Sequence, residues 1–397
     1  MSVDSFSEVS TQSWGSRIKG SLSGIFFGII MIIASFVLLF WNEGRAVKRA
    51  QALDEGASSV VSITSNEINP TYEGKLVHLT GEIKTTDVLS DPVFGITKEA
   101  VKLRRSSDMY QWEEEQTTKT KEKVGGKKET VTTYSYKKTW SSSPINSQSF
   151  KRQEGHYNPG TFPYPGKSFA ASNVKLNAFQ MSDSQISSLS NYQTLTLSEN
   201  MLAQLPEDLR LKLKVEGNNL YYGKDSSSPE IGDMRISFEW ISPGDTVSVI
   251  AQQQGNSFVP YVAKSGSSIQ LMVSGTQTAE AMFNAEKKSN TILTWILRAV
   301  GFFLMFLGFR TIMNIFRTLA AVIPFVANIV GFGLSLISAI LAASFTLLTI
   351  AIAWFVYRPM LSIILIVVIV LILVAVKMLK KPSQQQPAFV PPPPPPA

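Results

Sequence analysis

The sequence predicts an α+β membrane protein with four transmembrane helices and a large β-rich soluble domain inserted between the first and second spans. Apolar residues are concentrated near both ends of the 397-residue chain, and the section between them alternates polar and apolar residues as half-buried strands do. Charge is divided in the same way, because residues 287–397 contain nine Lys or Arg and no Asp or Glu. The first 286 residues contain 28 basic and 30 acidic side chains. We therefore expect a near-neutral soluble part and a cationic membrane part.

The first transmembrane helix is predicted at 20–42, after a disordered N-terminal segment at 1–19. Between Lys19 and Glu43 there are 23 uncharged residues, enough to cross a bilayer core of about 30 Å. A cleaved signal peptide would have a shorter apolar region followed by small residues. This run is longer and ends in Trp41-Asn42-Glu43-Gly44-Arg45, so we interpret it as an uncleaved signal anchor.

Residues 43–289 are predicted to form the β-rich domain, in the lumen or periplasm. Polar and apolar residues alternate most clearly at 234–240, and the leucines at 209–215 repeat the pattern. Glycine-containing turns at 125–126 and 255–256 predict two hairpins, and the first is so rich in charge and threonine that we expect it to project into solvent. Helices are predicted at 183–191, at 198–205, and from Thr278 into the second span.

The C-terminal apolar section must hold several spans, because its 40 uncharged residues at 318–357 exceed the roughly 20 that one span needs. Pro324 disfavours an unbroken helix. We divide the section into a transmembrane helix at 290–317, an interfacial or re-entrant helix at 318–329, transmembrane helices at 330–356 and 359–377, and a disordered polyproline tail at 378–397. The Lys and Arg count near the span ends is nearly balanced and places both termini inside, opposite the domain.

Glycines repeat at helical spacing in the first two spans. Gly20, Gly24 and Gly28 are four residues apart and share one helix face, and Gly301 with Gly308 forms a similar face in the second span. Such faces let another backbone approach closely, so we predict helix packing against another span or another copy of the chain. Ordinary glycine enrichment in membrane helices is the alternative.

Arginines interrupt the second span. Only eleven uncharged residues separate Arg298 from Arg310, and Arg317 follows one to two turns later, so a helix that crosses the bilayer here carries at least one arginine inside its length. The available partners are backbone carbonyls, Glu43 and lipid phosphates. We interpret these three residues as an intramembrane charge or anionic-lipid site, with snorkelling to the headgroup layer as the alternative.

The chemistry-bearing residues argue against catalysis. His78 and His156 are isolated, the chain has no cysteine, and no metal-ligand spacing or catalytic motif occurs. We therefore predict no enzyme activity, no metal and no cofactor. Nucleic-acid binding is excluded because the soluble part is slightly acidic. The Ser and Thr residues at 335–349 more often bond to their own helix or to neighbouring spans than line a pore.

Several irregular strings occur in an order that resembles the LUMA family, transmembrane protein forty-three. They extend over nearly the whole chain, from Ser21 to about Lys377. The strings are Trp41-Asn42-Glu43-Gly44-Arg45, Leu89-Ser90-Asp91-Pro92, Val101-Lys102-Leu103-Arg104-Arg105, Met109-Tyr110-Gln111-Trp112, Gly155-His156 with Asn158-Pro159, Gly232-Asp233 with Arg235, and Tyr357-Arg358-Pro359.

The resemblance implies four spans and a large domain in the lumen of the endoplasmic reticulum or nuclear envelope. Animal members are regarded as organisers of the inner nuclear membrane that associate with emerin and lamins and self-associate. No catalytic residues come with the resemblance. The Ser-rich start, the polyproline tail and the lack of cysteine depart from the family pattern.

We therefore expect a non-catalytic, multi-pass membrane scaffold without cofactors. Its expected partners are anionic membrane lipids, further copies of the chain and, in a eukaryote, membrane or lamina-associated proteins. Its expected location is the endoplasmic reticulum or inner nuclear membrane in a eukaryote and the cell inner membrane in a bacterium. An ion-conducting membrane protein and a lumenal enzyme with an unrecognised site are the alternatives.

Overall fold

A computed structural model of the protein describes residues 4–203, 205–360, 362–364, 367 and 371. Most of the predicted fourth span at 359–377 and the whole predicted tail at 378–397 lie outside the described residues. The described helices are α1 Trp14–Ser59, α2 Asp183–Ser188, α3 Glu199–Leu202, α4 Glu207–Arg210, α5 Ala279–Ala320 and α6 Pro324–Tyr357, with 3-10 turns at Pro70–Tyr72 and Ser147–Ser149.

The described strands belong to the first three-quarters of the chain, and all but β1 lie between α1 and α5 in sequence. They are β1 Ser5–Gln12, β2 Val61–Ser62, β3 Leu76–Lys84, β4 Val88–Asp91, β5 Ile96–Glu99, β6 Lys102–Glu122, β7 Lys128–Ser141, β8 Lys167–Ala170, β9 Lys175–Leu176, β10 Phe179–Gln180, β11 Gln193–Thr194, β12 Leu213–Glu216, β13 Asn219–Tyr222, β14 Met234–Ile241, β15 Thr246–Gln254, β16 Ser257–Val259, β17 Tyr261–Val262, β18 Ser268–Ile269 and β19 Leu271–Ser274. The α+β class is thereby confirmed.

Three helices, α1, α5 and α6, are long and apolar enough to cross a membrane. The 46 residues of α1 extend about 69 Å, more than twice the hydrocarbon thickness, so α1 continues well beyond the bilayer into the β-rich domain. Ser13 starts α1 by accepting a hydrogen bond from the Ser16 amide. The predicted domain boundary at 43 thus differs from the structure, because nothing in 43–59 interrupts the helix.

The helix predicted from Thr278 into the second span is confirmed as α5, whose N-cap is Thr278. The structure differs at 318–329, where we expected a separate interfacial or re-entrant helix. Instead, α5 continues to Ala320 and α6 begins at Pro324, in the first-turn position where a proline needs no hydrogen-bond partner. The proline therefore starts the next long helix, and the break occupies only 321–323.

Two large, mainly antiparallel sheets and two two-stranded sheets, β4–β5 and β17–β18, are described in the domain. One large sheet has the order β1-β7-β6-β14-β13-β12, with β8 against β6 and β11 against β14. The other has the order β10-β9-β3-β15-β16, with β19 against β15 and β2 parallel to β3. Each large sheet has its own apolar cluster, centred on Phe238 and Phe179 respectively, and a third cluster joins the second sheet to Leu53 of α1 and Phe283 of α5. The membrane helices are thus fixed to the domain by buried apolar contacts.

The predicted hairpins are confirmed as β6–β7 and β15–β16, which turn through glycines with positive φ. The strand predicted at 234–240 is confirmed as β14, in which Met234, Ile236 and Phe238 are buried and the residues between them are exposed or half-buried. The alternation at 209–215 is wrong as a single strand. Leu209 belongs to α4, and only Leu213 onwards is extended, since the acidic residues after Pro206 begin a short helix.

The predicted disordered segment at 1–19 is wrong where the structure describes it. Residues 5–12 form β1, which pairs along its whole length with β7 from Ser135 to Lys128. The segment alternates serine and threonine with Phe6, Glu8 and Val9, and these residue types suit an exposed strand. The N-terminal arm is therefore part of the sheet of the β-rich domain, whereas the charge count had placed the two on opposite sides of the membrane.

Strands β1, β6 and β7 form a three-stranded polar ribbon that runs beside the helices. At its tip, the Gly125 amide donates to the Val322 carbonyl and Glu122 forms an ion pair of 2.7 Å with Arg17. The Trp14 indole donates to the Thr318 carbonyl there as well. These contacts lie at the ends of α1 and α5 that are distant from Leu53 and Phe283. The ribbon therefore spans the length of the apolar helix sections.

Candidate functional site

A buried ion pair joins α1 to α5. Both oxygens of Glu43 accept hydrogen bonds from Arg298, at 2.6 Å from Nε and 2.8 Å from an Nη. The Glu43 side chain is fully buried and that of Arg298 is 15% exposed. This bidentate geometry is the strongest that a carboxylate and a guanidinium form. Of the partners open to Arg298 by sequence, the structure shows Glu43 in contact with the guanidinium.

The third helix completes the ion pair. The indole Nε1 of Trp354 on α6 donates to the second Glu43 oxygen at 2.8 Å. The guanidinium of Arg298 also lies 4.7 Å from the Trp295 ring centre, a cation–π distance. A single carboxylate on α1 thus accepts two hydrogen bonds from Arg298 of α5 and one from Trp354 of α6. We call Glu43, Arg298 and Trp354 the three-helix clamp.

The residues beside Glu43 extend this contact towards the domain. Asn42 donates to the Thr294 carbonyl at 3.1 Å, and Arg45 donates to the Asn290 side chain at 2.9 Å and to the Thr294 hydroxyl at 3.1 Å. The Asn290 amide in turn donates to the Ala46 carbonyl. Polar side chains at this depth are costly unless they are bonded to one another. The network therefore sets the register of α1 against α5.

Gly44 brings the first and last family strings together. A Cβ atom on Gly44 would lie 2.6 Å from the Tyr357 ring, closer than carbon atoms can approach without displacement. The Tyr357 ring also contacts Phe40, with ring centres 5.3 Å apart. Arg358 ends α6 with its guanidinium 5.9 Å from the Trp354 ring, and Pro359 follows. The residues around the clamp therefore belong to the first and last family strings. These strings are Trp41, Asn42, Glu43, Gly44 and Arg45, and Tyr357, Arg358 and Pro359.

The glycines lie between α1 and α5. A Cβ on Gly28 would be 2.7 Å from the Gly308 carbonyl oxygen, and one on Gly308 would be 2.9 Å from the Gly28 carbonyl oxygen. The two backbones are in direct contact, as in other close helix crossings. Gly301 faces Leu39 and Gly24 faces Thr311, whereas Gly20 has no neighbour within 4 Å. Four of the five glycines thus pack within the chain and not between copies.

Hydroxyl groups reinforce the same α1–α5 interface. Ser35 donates to the Gly301 carbonyl at 2.7 Å, and the Ser21 and Thr318 hydroxyls are 2.9 Å apart. The hydroxyls of α6 bond mainly within their own helix, since Ser335, Ser338 and Thr349 each donate to the carbonyl four residues earlier. These residues are satisfied without water, which agrees with packing and does not favour a polar pore.

Arg310 and Arg317 lie at the other end of α5. With Asn314 between them they line a cleft of about 510 Å³ between α5 and α6. Arg310 is exposed, while Arg317 lies 3.5 Å from Glu122 of the ribbon. The three arginines predicted as one site are therefore separated into a clamp residue and a distant basic pair.

The histidines serve the domain structure. His78 of β3 lies between the Ser62 hydroxyl and the Gln277 carbonyl, and His156 stacks on Tyr136 with ring centres 4.0 Å apart. Burial, followed by the hydrogen bond donated to Glu114, raises the pKa of Tyr136 to about 12. Among the described residues, no group of three or more His, Cys, Asp or Glu is arranged to hold a metal ion.

Another buried ion pair lies inside the domain. It joins two more of the family strings, those that contain Asp91 and Arg105. Asp91 at the end of β4 accepts from Arg105 of β6 at 2.8 Å, and the two side chains are 0% and 4% exposed. Arg105 also donates to the Pro165 carbonyl. Removing one partner would leave the other charge buried without compensation, so the pair fixes β4 against β6 and has no free group for chemistry.

Sequence reasoning missed Trp354, Asn290 and Thr294 as members of the clamp region. Each lies in an apolar helix where a single tryptophan, asparagine or threonine looks like interfacial or packing sequence. The available signal was the uncompensated Arg298, which requires polar partners at the same depth. That unpaired charge identified Glu43 as a candidate partner. It did not indicate which residue of the third helix would contact the pair.

The chain was compared with known proteins. The family model described as Transmembrane protein 43 matches residues 109–359. The chain is 37% identical to Transmembrane protein 43 of Mus musculus and of Homo sapiens over 355 residues, with 87% of each chain covered. It is 32% identical to the Transmembrane protein 43 homolog of Drosophila melanogaster over 341 residues, covering 84% of this chain and 89% of the relative. No solved structure matches.

Proposed function

Because the chain belongs to the Transmembrane protein 43 family, we propose that it is a non-catalytic, multi-pass membrane scaffold that self-associates and organises membrane protein complexes. The proposal includes four spans, with the fourth at 359–377, and a location in the endoplasmic reticulum or inner nuclear membrane of a eukaryote or the inner membrane of a bacterium. In a eukaryote the proposed partners are membrane or lamina-associated proteins.

The polar ribbon beside the apolar helices is the observation that supports self-association. Its outer strand β1 leaves one backbone edge open, and the ribbon carries Glu113, Glu115 and Lys137 on its surface. Open polar backbone does not occur in contact with hydrocarbon; at bilayer depth it is covered by protein or lines water. Another copy of the chain, or a membrane partner, would supply this cover.

Because the glycines of α1 pack against α5 of the same chain, two copies would have to contact each other through a different surface. Gly24 and Gly28 already contact α5, so they are not free for a second chain. Large apolar side chains, among them Phe27, Trp295 and Phe332, point outwards and are more than half exposed. We propose that copies contact through the ribbon side and that these apolar faces contact lipid.

The ion pair in the three-helix clamp argues against ion conduction. A pore lined by Arg298 needs a guanidinium available to a passing anion, whereas this guanidinium is paired with the Glu43 carboxylate and largely buried. The hydroxyls of Ser338 and Thr349 in α6 donate to carbonyls of their own helix, which also argues against a polar pore.

The mass of the purified full-length protein in lipid nanodiscs tests the proposal. We expect a multiple of 43.7 kDa and no ion flux when the same preparation is placed in liposomes. A monomer at every protein concentration would contradict self-association. A selective current that Arg298→Gln abolishes would replace the scaffold with an ion-conducting protein.

A further inference from the structure

The cleft between α5 and α6 at the ribbon end of the bundle is lined by basic, polar and apolar side chains. Arg310, Asn314 and Arg317 occupy positions i, i+4 and i+7 of α5 and therefore share one face. Asn328 and Ser335 of α6 face them across about 510 Å³ of space. The cleft is thus lined by hydrogen-bond donors with two fixed positive charges.

The charges of this cleft are only partly compensated. The sequence contains no Asp or Glu after Glu286, so any carboxylate must come from elsewhere in the chain. Glu122 of the ribbon lies 3.5 Å from Arg317 but makes its shorter contact, 2.7 Å, with Arg17. The Nε of Arg317 is buried and has no hydrogen-bond partner among the described residues. A buried donor without a partner is costly and indicates an acceptor that belongs there.

The beginning of α6 favours the same kind of ligand. Its N-cap, Ile323, provides no side-chain hydrogen bond, and its first turn contains no acidic residue. The free backbone amides and the helix dipole attract negative charge at this end. Pro324 and Asn328 also line a second cavity of about 730 Å³, which shares Arg317 with the cleft and includes Lys121 and Lys128 of the ribbon. Anion-binding groups therefore approach Arg317 from two elements.

The apolar wall of the cleft determines the class of anion. Leu307 lies one turn deeper in α5 than Arg310, and Phe332 of α6 is 76% exposed. An inorganic or sugar phosphate would bind the arginines alone and make no contact with this apolar surface. A glycerophospholipid would place its phosphate on the arginines and its acyl chains on Leu307 and Phe332. Gly331 keeps the cleft open, because a Cβ there would lie 2.9 Å from the Arg317 side chain.

We propose that the α5–α6 cleft is a binding site for one anionic glycerophospholipid, whose phosphate is held by Arg310 and Arg317. Basic pockets between membrane helices bind anionic headgroups elsewhere. The proposal rests on the membrane location of the proposed scaffold but not on its self-association. Arg298 takes no part in it, because Glu43 occupies that guanidinium.

Equilibrium binding of fluorescent phosphatidylglycerol to the delipidated full-length protein in neutral detergent tests this site. We expect Arg310→Gln and Arg317→Gln each to weaken binding about tenfold or more, since each variant loses a charge-assisted hydrogen bond to the phosphate. Lys288→Gln, an exposed basic position at the other end of α5, is the matched control and should bind as the wild type does. Equal affinity in all four proteins would overturn the proposal.

Two further ligands distinguish the source of the phosphate. Phosphatidylcholine should compete weakly, because its headgroup has no net charge, and soluble glycerol phosphate should compete weakly, because it has no acyl chains. Competition by glycerol phosphate equal to that by the lipid would identify a soluble-phosphate site and overturn the lipid assignment. Oligomer mass measured on the Arg310→Gln protein separates this result from the scaffold proposal, since we expect it to remain unchanged.

Discussion

Replacing Glu43 with alanine is expected to lower the free energy of unfolding by about 3–5 kcal/mol, the usual loss when one partner of a buried ion pair is removed. The change leaves the Arg298 guanidinium buried with no carboxylate and removes the acceptor of the Trp354 indole. All three helices lose a contact at once. Titration of the full-length protein from mild detergent into denaturing detergent measures the effect.

A double-mutant cycle separates the ion pair from general disruption. Arg298→Met alone should also destabilise, because Glu43 is then buried with only Trp354 as donor. The combined Glu43→Met and Arg298→Met protein should be more stable than either single variant, since buried pairs are often replaced by apolar residues at little cost. Lys48→Ala, at an exposed position close to the clamp in α1, should change nothing. Strictly additive losses in the cycle would show that the two charges do not interact.

Replacing Gly28 with leucine is expected to separate α1 from α5 and lower the free energy of unfolding by about 3 kcal/mol, at the upper end of the usual cost of overpacking. The first added atom would already lie 2.7 Å from the Gly308 carbonyl oxygen and 2.6 Å from an Ile312 side-chain carbon. Backbone cannot move aside as a flexible side chain does. The same detergent titration reports the loss.

Gly20 is the matched control for Gly28. It belongs to the same glycine series, but nothing lies within 4 Å of the position that its Cβ would take. Gly20→Leu should therefore be neutral or slightly stabilising, because leucine is the better helix former. A comparable loss in both variants would mean that the glycines act through helix propensity or through contacts between copies, and not through the α1–α5 crossing.

Most local structure was accessible from the sequence because it depends on periodicity and turn chemistry. The hairpin glycines at 125–126 and the alternation of β14 each place an element within a few residues, whereas the apolar run at 20–42 locates the first span but not the end of α1 at Ser59. The need of Arg298 for a polar partner was also accessible, since a buried guanidinium is costly alone, but Glu43 was only one of three candidates beside backbone carbonyls and lipid phosphates. Such inferences need only short-range patterns and charge balance.

The remaining features depend on contacts between distant segments. Serine and threonine in residues 5–12 are typical of both disordered arms and exposed strands, and only the pairing with β7 decides between them. Positive charges near span ends were too evenly distributed to place the arm. The depth of Trp354, and hence its bond to Glu43, is set by how α6 packs beside α1 and α5, which no local pattern encodes.

The proposed self-association depends most on the polar ribbon beside the membrane helices, because that arrangement requires cover by a second copy or a partner. Ser7 and Thr133 lie opposite each other in β1 and β7 with their hydroxyls 2.9 Å apart, and the chain has no cysteine of its own. Oxidation of a Ser7→Cys, Thr133→Cys protein in native membranes is therefore the direct measurement. We predict an intramolecular disulfide, and none in the Ser7→Cys, Thr132→Cys control, whose side chains point to opposite faces. Absence of the first disulfide, with the thiol introduced by Ser7→Cys reactive only from the side opposite the domain, would contradict the account.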